Sequence, residues 1–286
     1  MVIERALEKL RETTAAKTGT RSLEMDSRKK SAVRPEARST AIRLLPVVTP
    51  DVEAAEARRV LLPDASYGPR EDRTAAAFRL VRTRLLNAMR NEGWSTLAIT
   101  SPGPGEGKSL ITLNLALSIA RERMSDVFLL DLDLRNPSIC GYLGVCPPQE
   151  LVSYFGGDGT PAGALFTIGI DGLAIAGSTL PTEQASELIA SGRLEEMLAY
   201  IRSIATSPII LLDLPPLLVT DEALLVAPRV DAVALVVAEG RTRRDTLVRA
   251  KQLLSEFTMA GVILNRSSER HGADKYYGYH YREGDS

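Results

Sequence analysis

One segment, residues 96–109, constrains the fold of this chain more than any other. It reads Thr96-Leu-Ala-Ile-Thr-Ser-Pro-Gly-Pro-Gly-Glu-Gly-Lys108-Ser109, an apolar strand that runs into a glycine-rich turn and ends in Gly-Lys-Ser. In such a loop successive backbone N–H groups point at one anion, the lysine reaches the β- and γ-phosphates, and the hydroxyl faces a magnesium ion. A helix predicted from Leu110 to about Arg123 adds its positive dipole end. The segment therefore predicts a nucleotide-binding strand–loop–helix unit.

The loop departs from the usual pattern at one position. The pattern G-x-x-x-x-G-K-[ST] requires glycine at position 102, whereas this chain has Pro102 and places its first loop glycine one residue later. We expect Pro102 to reshape the entry of the loop and to weaken the affinity for nucleotide. The residues predicted to line the nucleotide are Gly103, Gly105, Glu106, Gly107, Lys108, Ser109 and Leu110.

Six apolar runs predict strands. Most of them are continuous rather than alternating, which is typical of strands buried on both faces of a parallel sheet. Helical patterns separate them, notably at 185–204 and 243–257, and an amphipathic helix ending near Gly93 precedes the first strand. Alternating strands and helices predict a doubly wound α/β fold with a mostly parallel sheet. The predicted strands are 96–100, 126–131, 173–176, 208–213, 231–237 and 260–264.

The pattern of the chain predicts four regions. Residues 1–12 contain a short amphipathic helix, which would dock either on its own domain or on a partner protein. Residues 13–73 are rich in Ala, Arg, Ser, Thr and Pro with little periodicity, and they are predicted to be a mostly disordered linker. Residues 74–268 are predicted to form the nucleotide-binding domain, and residues 269–286 a flexible, tyrosine-rich tail.

Composition excludes several classes of function. The net charge of −1 gives no support for nucleic-acid binding. The two cysteines, Cys140 and Cys146, predict neither a zinc site nor a disulfide framework. No signal peptide is evident, and no run of about 18 apolar residues predicts a membrane span. The expected location is therefore the cytoplasm.

Three aspartates follow apolar strands and complete the predicted site. Asp131 and Asp133 end the second strand two residues apart, so that an extended backbone puts them on the same side. Asp213 ends a later, fully apolar strand, where an unpartnered charge would be very costly. Magnesium held by phosphates is the natural counter-charge. A purely structural alternative is a salt bridge from Asp131 and Asp133 to Arg135 or Lys108.

Together these motifs resemble Walker A, A′ and B of the bacterial tyrosine autokinases, cytoplasmic enzymes that accompany capsule and exopolysaccharide synthesis. The resemblance covers about residues 74–281 and implies a P-loop NTPase fold of the MinD/ParA-like type. The segments on which the resemblance rests are Gly105-Glu-Gly-Lys-Ser109, Leu129-Leu-Asp-Leu-Asp-Leu-Arg-Asn-Pro137 and Leu211-Leu-Asp-Leu-Pro-Pro216. The opening Ile3-Glu-Arg-Ala-Leu-Glu-Lys-Leu10 is similar to the branch associated with exosortase-type (XrtA) exopolysaccharide loci.

The resemblance implies ATP as phosphoryl donor and Mg²⁺ as cofactor. Lys108 would hold the phosphates, and Ser109, Asp131 and Asp213 would hold the metal directly or through water. Either Asp131 or Asp133, preferably Asp133, would accept the proton of the tyrosine. These assignments make Lys108, Asp131 and Asp133 the predicted catalytic residues.

Further roles follow from the same resemblance. Arg135 would help to position the tail or an incoming protomer near the nucleotide, and Asn265, at the end of the closing strand, would contact the adenine. A cluster of tyrosines crowds the last eleven residues, in a segment too polar to fold, although aromatic rings are normally buried. In the resembling family such a cluster is the substrate of autophosphorylation. Its members here are Tyr276, Tyr277, Tyr279 and Tyr281.

The resemblance also implies partners, and the departures from it leave alternatives open. Without a transmembrane segment, the chain would depend on a separate membrane activator of the chain-length-determinant type. The family's Glu-x-x-Arg-x-x-Arg motif, which helps protomers to form a ring, has Ala76 in place of its glutamate.

A switch ATPase of the MinD/ParA type is one alternative function, although the extra lysine of that group is absent at Gly103. A nucleotide-sensing scaffold without catalysis is the other.

Overall fold

All six predicted strands are present in the computed structural model, which describes residues 41–62 and 69–267, the first four residues of the second range by their backbone alone. The strands form one sheet in the order β3-β2-β4-β1-β5-β6, and every pairing is parallel. The predicted doubly wound α/β fold is confirmed. The strands are β1 (Thr96–Thr100), β2 (Val127–Asp131), β3 (Leu173–Ala176), β4 (Ile209–Asp213), β5 (Ala232–Ala238) and β6 (Met259–Asn265).

The sheet is covered on both faces, as continuous apolar strands require. Two helices, α2 and α3, pack on one face, while α6, α7, α8 and α9 contribute to the core on the other. The α-helices are α1 (Val52–Ala57), α2 (Pro69–Glu92), α3 (Lys108–Ala120), α4 (Ile139–Leu143), α5 (Leu151–Phe155), α6 (Ala185–Ala190), α7 (Arg193–Ile204), α8 (Glu222–Val226) and α9 (Arg244–Leu253). Short 3₁₀ turns lie at Ile42–Leu44 and Ala227–Arg229.

The strand order brings the predicted motifs together at one edge. β4 lies between β1 and β2, so the loop after β1 and the aspartates that end β2 and β4 share the carboxyl end of the sheet. Asp131 pairs in register with Asp213, and Ile99 pairs with Asp213 from the other side. Ligands of open α/β sheets bind in the crevice at this end of the strands.

One predicted helix is two helices in the structure. The pattern at 185–204 is broken between α6 and α7, where Gly192 adopts φ +86° and immediately precedes α7. Glycine takes this left-handed conformation without the penalty that a Cβ atom imposes. The apolar period continues across the break because both helices pack on the same core.

The predicted disordered linker is wrong for residues 41–62. Ile42 is only 3% exposed, and Ala55 and Val60 are buried in the core. The side chain of Asn114, on α3, fixes this segment: its Oδ1 accepts from the backbone N–H of Leu61 at 2.7 Å, and its Nδ2 donates to the carbonyl of Arg59 at 3.0 Å. A few spaced apolar side chains and backbone hydrogen bonds to the domain therefore order a stretch whose composition resembles a linker.

Two other predicted regions lie outside the described residues. They are the amphipathic helix of residues 1–12 and the tail of residues 269–286. Over residues 41–62 and 69–267, no helix combines the length and apolar character needed to cross a membrane.

Candidate active site

The loop between β1 and α3 owes its shape to two glycines. Gly105 and Gly107 have φ of +71° and +90°, and Gly107 immediately precedes α3. Neighbouring side chains also pack closely there: a Cβ atom on Gly105 would lie 2.7 Å from Nη2 of Arg241, and one on Gly107 would collide with Nδ2 of Asn265. Both positions therefore favour glycine for their left-handed conformation. At Gly107 the amide of Asn265 adds a steric reason, whereas the flexible end of Arg241 beside Gly105 can move aside.

Pro102 fits the entry of the loop because no left-handed conformation is needed there. The only non-glycine residues with positive φ in the described chain are Arg59, Arg123 and Arg266. The carbonyl of Pro102 accepts from the backbone N–H of Leu218 at 3.2 Å, and the hydroxyl of Ser101 donates to the carbonyl of Gly103 at 2.7 Å. The loop entry is thus attached to the segment that follows β4.

Replacing Gly107 with alanine is expected to weaken nucleotide binding about tenfold. A side chain at this left-handed position is strained by about 1–2 kcal/mol, and it must displace the amide of Asn265 as well. Titration with a fluorescent ATP analogue measures the change. Gly93→Ala is the matched control, because Gly93 also has positive φ but has open space around it and lies on the far side of β1. Equal weakening in both variants would contradict a specific role for the Gly107 contact.

Lys108 lies at the centre of a buried cluster of charges. Its Nζ is 2.6 Å from Oδ2 of Asp133 and 3.7 Å from Oδ2 of Asp213, and it donates to the hydroxyl of Ser109 at 3.1 Å. Burial alone would lower the pKa of Lys108, but the carboxylates of Asp213 and Asp133 outweigh burial and raise it to about 12. The ammonium is therefore charged at every physiological pH.

The two carboxylate oxygens of Asp213 differ in their hydrogen bonding. Its Oδ1 accepts from the hydroxyl of Thr112 at 3.2 Å, whereas its Oδ2 makes no hydrogen bond within the described chain and is fully buried. Burial raises the pKa of Asp213, against the opposing charge of Lys108. A carboxylate oxygen that has no hydrogen bond of its own is a suitable direct or water-mediated partner for magnesium.

Asp131, the last residue of β2, has a different role from Asp133, which lies two residues further on. Its carboxylate accepts backbone N–H groups from Asp133 at 3.3 Å, from Ser138 at 2.8 Å and from Ile139 at 2.9 Å. It is completely buried, and burial together with the charge of Asp213 raises its pKa to about 7. Asp131 thus holds the turn that leads into α4, while Asp133 faces Lys108.

The structure brings Lys108, Ser109, Asp133 and Asp213 together, and Asp131 lies beside them. The other predicted site residues are placed elsewhere. The guanidinium of Arg135 is paired with Glu222 at 2.7 Å and with Glu183 at 2.8 Å. Leu110 packs partly against the apolar core under the loop. The predicted tyrosine acceptors lie outside the described residues.

Two predicted nucleotide contacts instead support the loop from behind. The side chain of Glu106 is buried, and its Oε1 accepts from the hydroxyl of Thr242 at 2.8 Å. Burial raises the pKa of Glu106, although the hydrogen bond from Thr242 opposes this. Nδ2 of Asn265 donates to the carbonyl of Glu106 at 2.8 Å. In this structure both side chains therefore contact protein rather than an open cleft.

Three residues of the site were not predicted from the sequence. Thr112 contacts Asp213, and its spacing of four residues from Lys108 on one helix was a usable signal. Thr242 and Arg266 contact the loop from the segments after β5 and β6. No spacing rule connects those positions to the loop, so only the folded topology reveals them.

The arrangement fits a magnesium ion that is held mainly by the phosphates of a nucleotide. In the part of the chain that the structure describes, no three His, Cys, Asp or Glu side chains are grouped so as to hold a metal by themselves. Magnesium at phosphate sites takes only one or two protein ligands and completes its shell with phosphate oxygens and water. Ser109 and Oδ2 of Asp213 supply such a partial set. Asp131, the third predicted metal ligand, has both carboxylate oxygens engaged by backbone N–H groups in this structure.

Comparison with known proteins identifies relatives along most of the described chain. EpsB of Ralstonia nicotianae is 29% identical over 220 residues, which cover 74% of this chain and 28% of that protein. Tyrosine-protein kinase YwqD of Bacillus subtilis is 28% identical over 204 residues, covering 70% of this chain and 85% of that protein. The solved kinase domain of VpsO is 30% identical with a TM-score of 0.60, covering 69% of this chain and 98% of that domain. No family model matches the chain.

These relatives agree with the topology of the sheet. The solved kinase domain is matched over nearly its whole length, and the predicted P-loop NTPase fold is confirmed. The chain spans only 28% of EpsB. What that larger protein does as a whole is therefore not transferred by this likeness.

Proposed function

The chain belongs to the bacterial tyrosine-kinase family, and we propose that it transfers the γ-phosphoryl group of ATP to tyrosine. One observation carries this proposal: the loop lysine, the loop hydroxyl and two carboxylates from neighbouring strands meet at the carboxyl edge of the sheet. Phosphoryl transfer depends mostly on positioning and on stabilisation of charge, and these groups can supply both.

The ion pair between Lys108 and Asp133 suggests how the site becomes active. The phosphates of ATP would attract the ammonium of Lys108, and Oδ2 of Asp133 would then lose its partner at 2.6 Å. The freed carboxylate would accept the proton of the tyrosine hydroxyl. The phenolic oxygen would form a bond to the γ-phosphorus, and the bond to the β,γ-bridging oxygen would break to release ADP. Magnesium, held by Ser109 and Asp213, would neutralise phosphate charge.

The acceptors in this proposal are the four tail tyrosines, Tyr276, Tyr277, Tyr279 and Tyr281. β6 runs parallel to the other strands, so the chain leaves the sheet at the edge where the site lies. Arg266, directly after β6, already contacts the carbonyl of Gly105 in the loop. Transfer in trans, to the tail of a second protomer, is the form that we propose, and each phosphate would add about −1.5 to −2 charges to the tail.

We also propose that this chain is cytoplasmic and is held at the inner membrane by a partner protein. The partner would be a chain-length-determinant protein of an exopolysaccharide system, as in the exosortase-associated branch, and residues 1–12 would dock on it. Homo-oligomers would form without the usual ring motif. Ala76 replaces its glutamate, and Arg82 is already paired with Glu122 at 2.7 Å and with the carbonyl of Ser118 at 3.0 Å.

The test is to map phosphate on the full chain after incubation with ATP and magnesium, alone and with the cytoplasmic segment of a chain-length-determinant protein. Phosphotyrosine is expected in the peptide that contains residues 276–281. A variant with all four tail tyrosines changed to phenylalanine should lose most of the label. Label that remains undiminished in this variant would contradict the assignment of the tail.

The two alternatives predict other products. A switch ATPase would release inorganic phosphate steadily and form no phosphotyrosine. A nucleotide-sensing scaffold would bind ATP tightly and convert none of it. Either result, with the activating segment present, would replace the kinase proposal.

A further inference from the structure

The phosphate loop is held by the last residue of β6, Asn265, and by the residue after it, Arg266. Nδ2 of Asn265 donates to the carbonyl of Glu106 at 2.8 Å, and Nη2 of Arg266 donates to the carbonyl of Gly105 at 3.1 Å. The backbone N–H of Arg266 donates in turn to Oδ1 of Asn265 at 2.8 Å. The carbonyl oxygens of two consecutive peptide groups of the loop are therefore hydrogen-bonded by these side chains.

These two hydrogen bonds constrain the direction in which the loop N–H groups point. In a trans peptide the C=O and N–H bonds point in opposite directions. The carbonyls of Gly105 and Glu106 belong to the same peptide groups as the N–H groups of Glu106 and Gly107. Since the oxygens face Arg266 and Asn265, these N–H groups face away from those two side chains. The start of α3, which immediately follows Gly107, is a favourable position for an anion.

A second contact fixes the same part of the loop from β5. The hydroxyl of Thr242 accepts the backbone N–H of Ala238 at 2.8 Å and donates to Oε1 of Glu106 at 2.8 Å. The buried Glu106 side chain is thus joined to the end of β5. The loop is supported from both strands on its side of the sheet.

The backbone of Arg266 is itself unusual. Its φ is +58°, in the left-handed region that non-glycine residues rarely adopt. Such conformations persist where the surroundings impose them, and they are concentrated at functional positions. Here the residue's guanidinium reaches back to Gly105 although its side chain is exposed.

We propose that Arg266 is a positioning residue for nucleotide binding, which acts by holding the Gly105 carbonyl so that the next N–H group faces the phosphates. It acts with Asn265, whose amide holds the adjoining peptide group. The inference rests on the proposed function for the binding of ATP, but it does not require transfer to tyrosine. Arg266 also connects the segment that follows β6, from which the tyrosine-rich tail continues, to the phosphate loop.

The experiment measures the affinity of the full chain for a fluorescent ATP analogue with magnesium. Arg266→Ala is expected to weaken binding about fivefold, the effect of one hydrogen bond of about 1 kcal/mol. Arg266→Lys keeps a donor and should recover part of the loss. Arg90→Ala is the matched control, since Arg90 is an exposed arginine at the end of α2. In turnover assays the KM for ATP should rise more than kcat falls.

The thermal unfolding temperature separates positioning from a merely structural role. Arg266 is exposed, so its replacement should leave this temperature unchanged while the affinity falls. Equal affinities of Arg266→Ala and the parent would overturn the inference, and so would a loss of affinity that follows a loss of stability. Failure of the parent to bind the analogue would overturn this inference and the proposed function together. Binding without phosphotyrosine would overturn the kinase alone.

Discussion

Replacing Lys108 with methionine is expected to slow tyrosine phosphorylation about a hundred- to a thousandfold. That is the usual cost of removing one group that stabilises charge in a transition state. Lys108 is the cation nearest to Asp133 and Asp213, and it follows Gly107 at the start of α3, where phosphates bind. Methionine keeps most of the length of the side chain and removes only the charge and the donors. The rate of phosphotyrosine formation at saturating ATP measures the effect.

Two controls separate loss of charge from loss of folding. Lys251→Met changes an exposed lysine on α9 and should leave the rate unchanged. In Lys108→Met the carboxylates of Asp133 and Asp213 lose their common counter-charge, which raises further the pKa of Asp213 that burial already raises. The folded variant then binds protons more readily than the unfolded chain, so its free energy of unfolding should increase as the pH falls. Phosphorylation at the parent's rate in a folded variant would contradict the assigned role.

Replacing Asp133 with asparagine is expected to lower kcat about a hundredfold or more, while nucleotide affinity is retained or increased. A general base contributes roughly 10²–10⁴-fold to a rate, and asparagine has the same shape but cannot accept a proton. The affinity should not fall, because Asp133 holds Lys108 by an ion pair of 2.6 Å that the phosphates must replace. The two quantities are measured by single-turnover phosphorylation and by titration with the fluorescent analogue.

Asp131→Asn is the matched variant for this prediction. Asp131 accepts three backbone N–H groups, and asparagine would turn an NH₂ group toward one or more of them. This variant is therefore expected to lose stability, with a smaller effect on kcat than Asp133→Asn. The reverse order, with kcat more sensitive at Asp131 than at Asp133, would make Asp131 the proton acceptor.

Most of the fold can be predicted from the sequence because most strands are continuous apolar runs. Continuous apolar runs identify strands that are covered on both faces, and the alternation with helices implies parallel crossovers. The exceptions lie where local composition and tertiary contacts disagree. Residues 41–62 have the composition of a linker, but Asn114 and the core hold them. The break at Gly192 does not interrupt the spacing of the apolar residues, so that spacing alone cannot reveal it.

The candidate site was predictable at the level of residue types but less so at the level of roles. Asp131 and Asp133 are both flanked by leucines at the carboxyl end of β2. Only the turn before α4 shows that the carboxylate of Asp131 accepts backbone N–H groups whereas that of Asp133 faces Lys108. Arg135 follows the aspartates directly, yet buried Glu222 attracts its guanidinium. Arg266 is distant from the loop in sequence and becomes its neighbour only through the pairing of β5 with β6.

The measurement that tests the central claim most directly is the fate of the γ-phosphate in a single turnover. The full chain, in excess over radiolabelled ATP with magnesium and in the presence of the activating segment, should transfer most of the label to tyrosine and little to water. Lys108→Met and Asp133→Asn should transfer almost none in the same time. Label recovered as inorganic phosphate, with no phosphotyrosine at any protein concentration, would contradict the account.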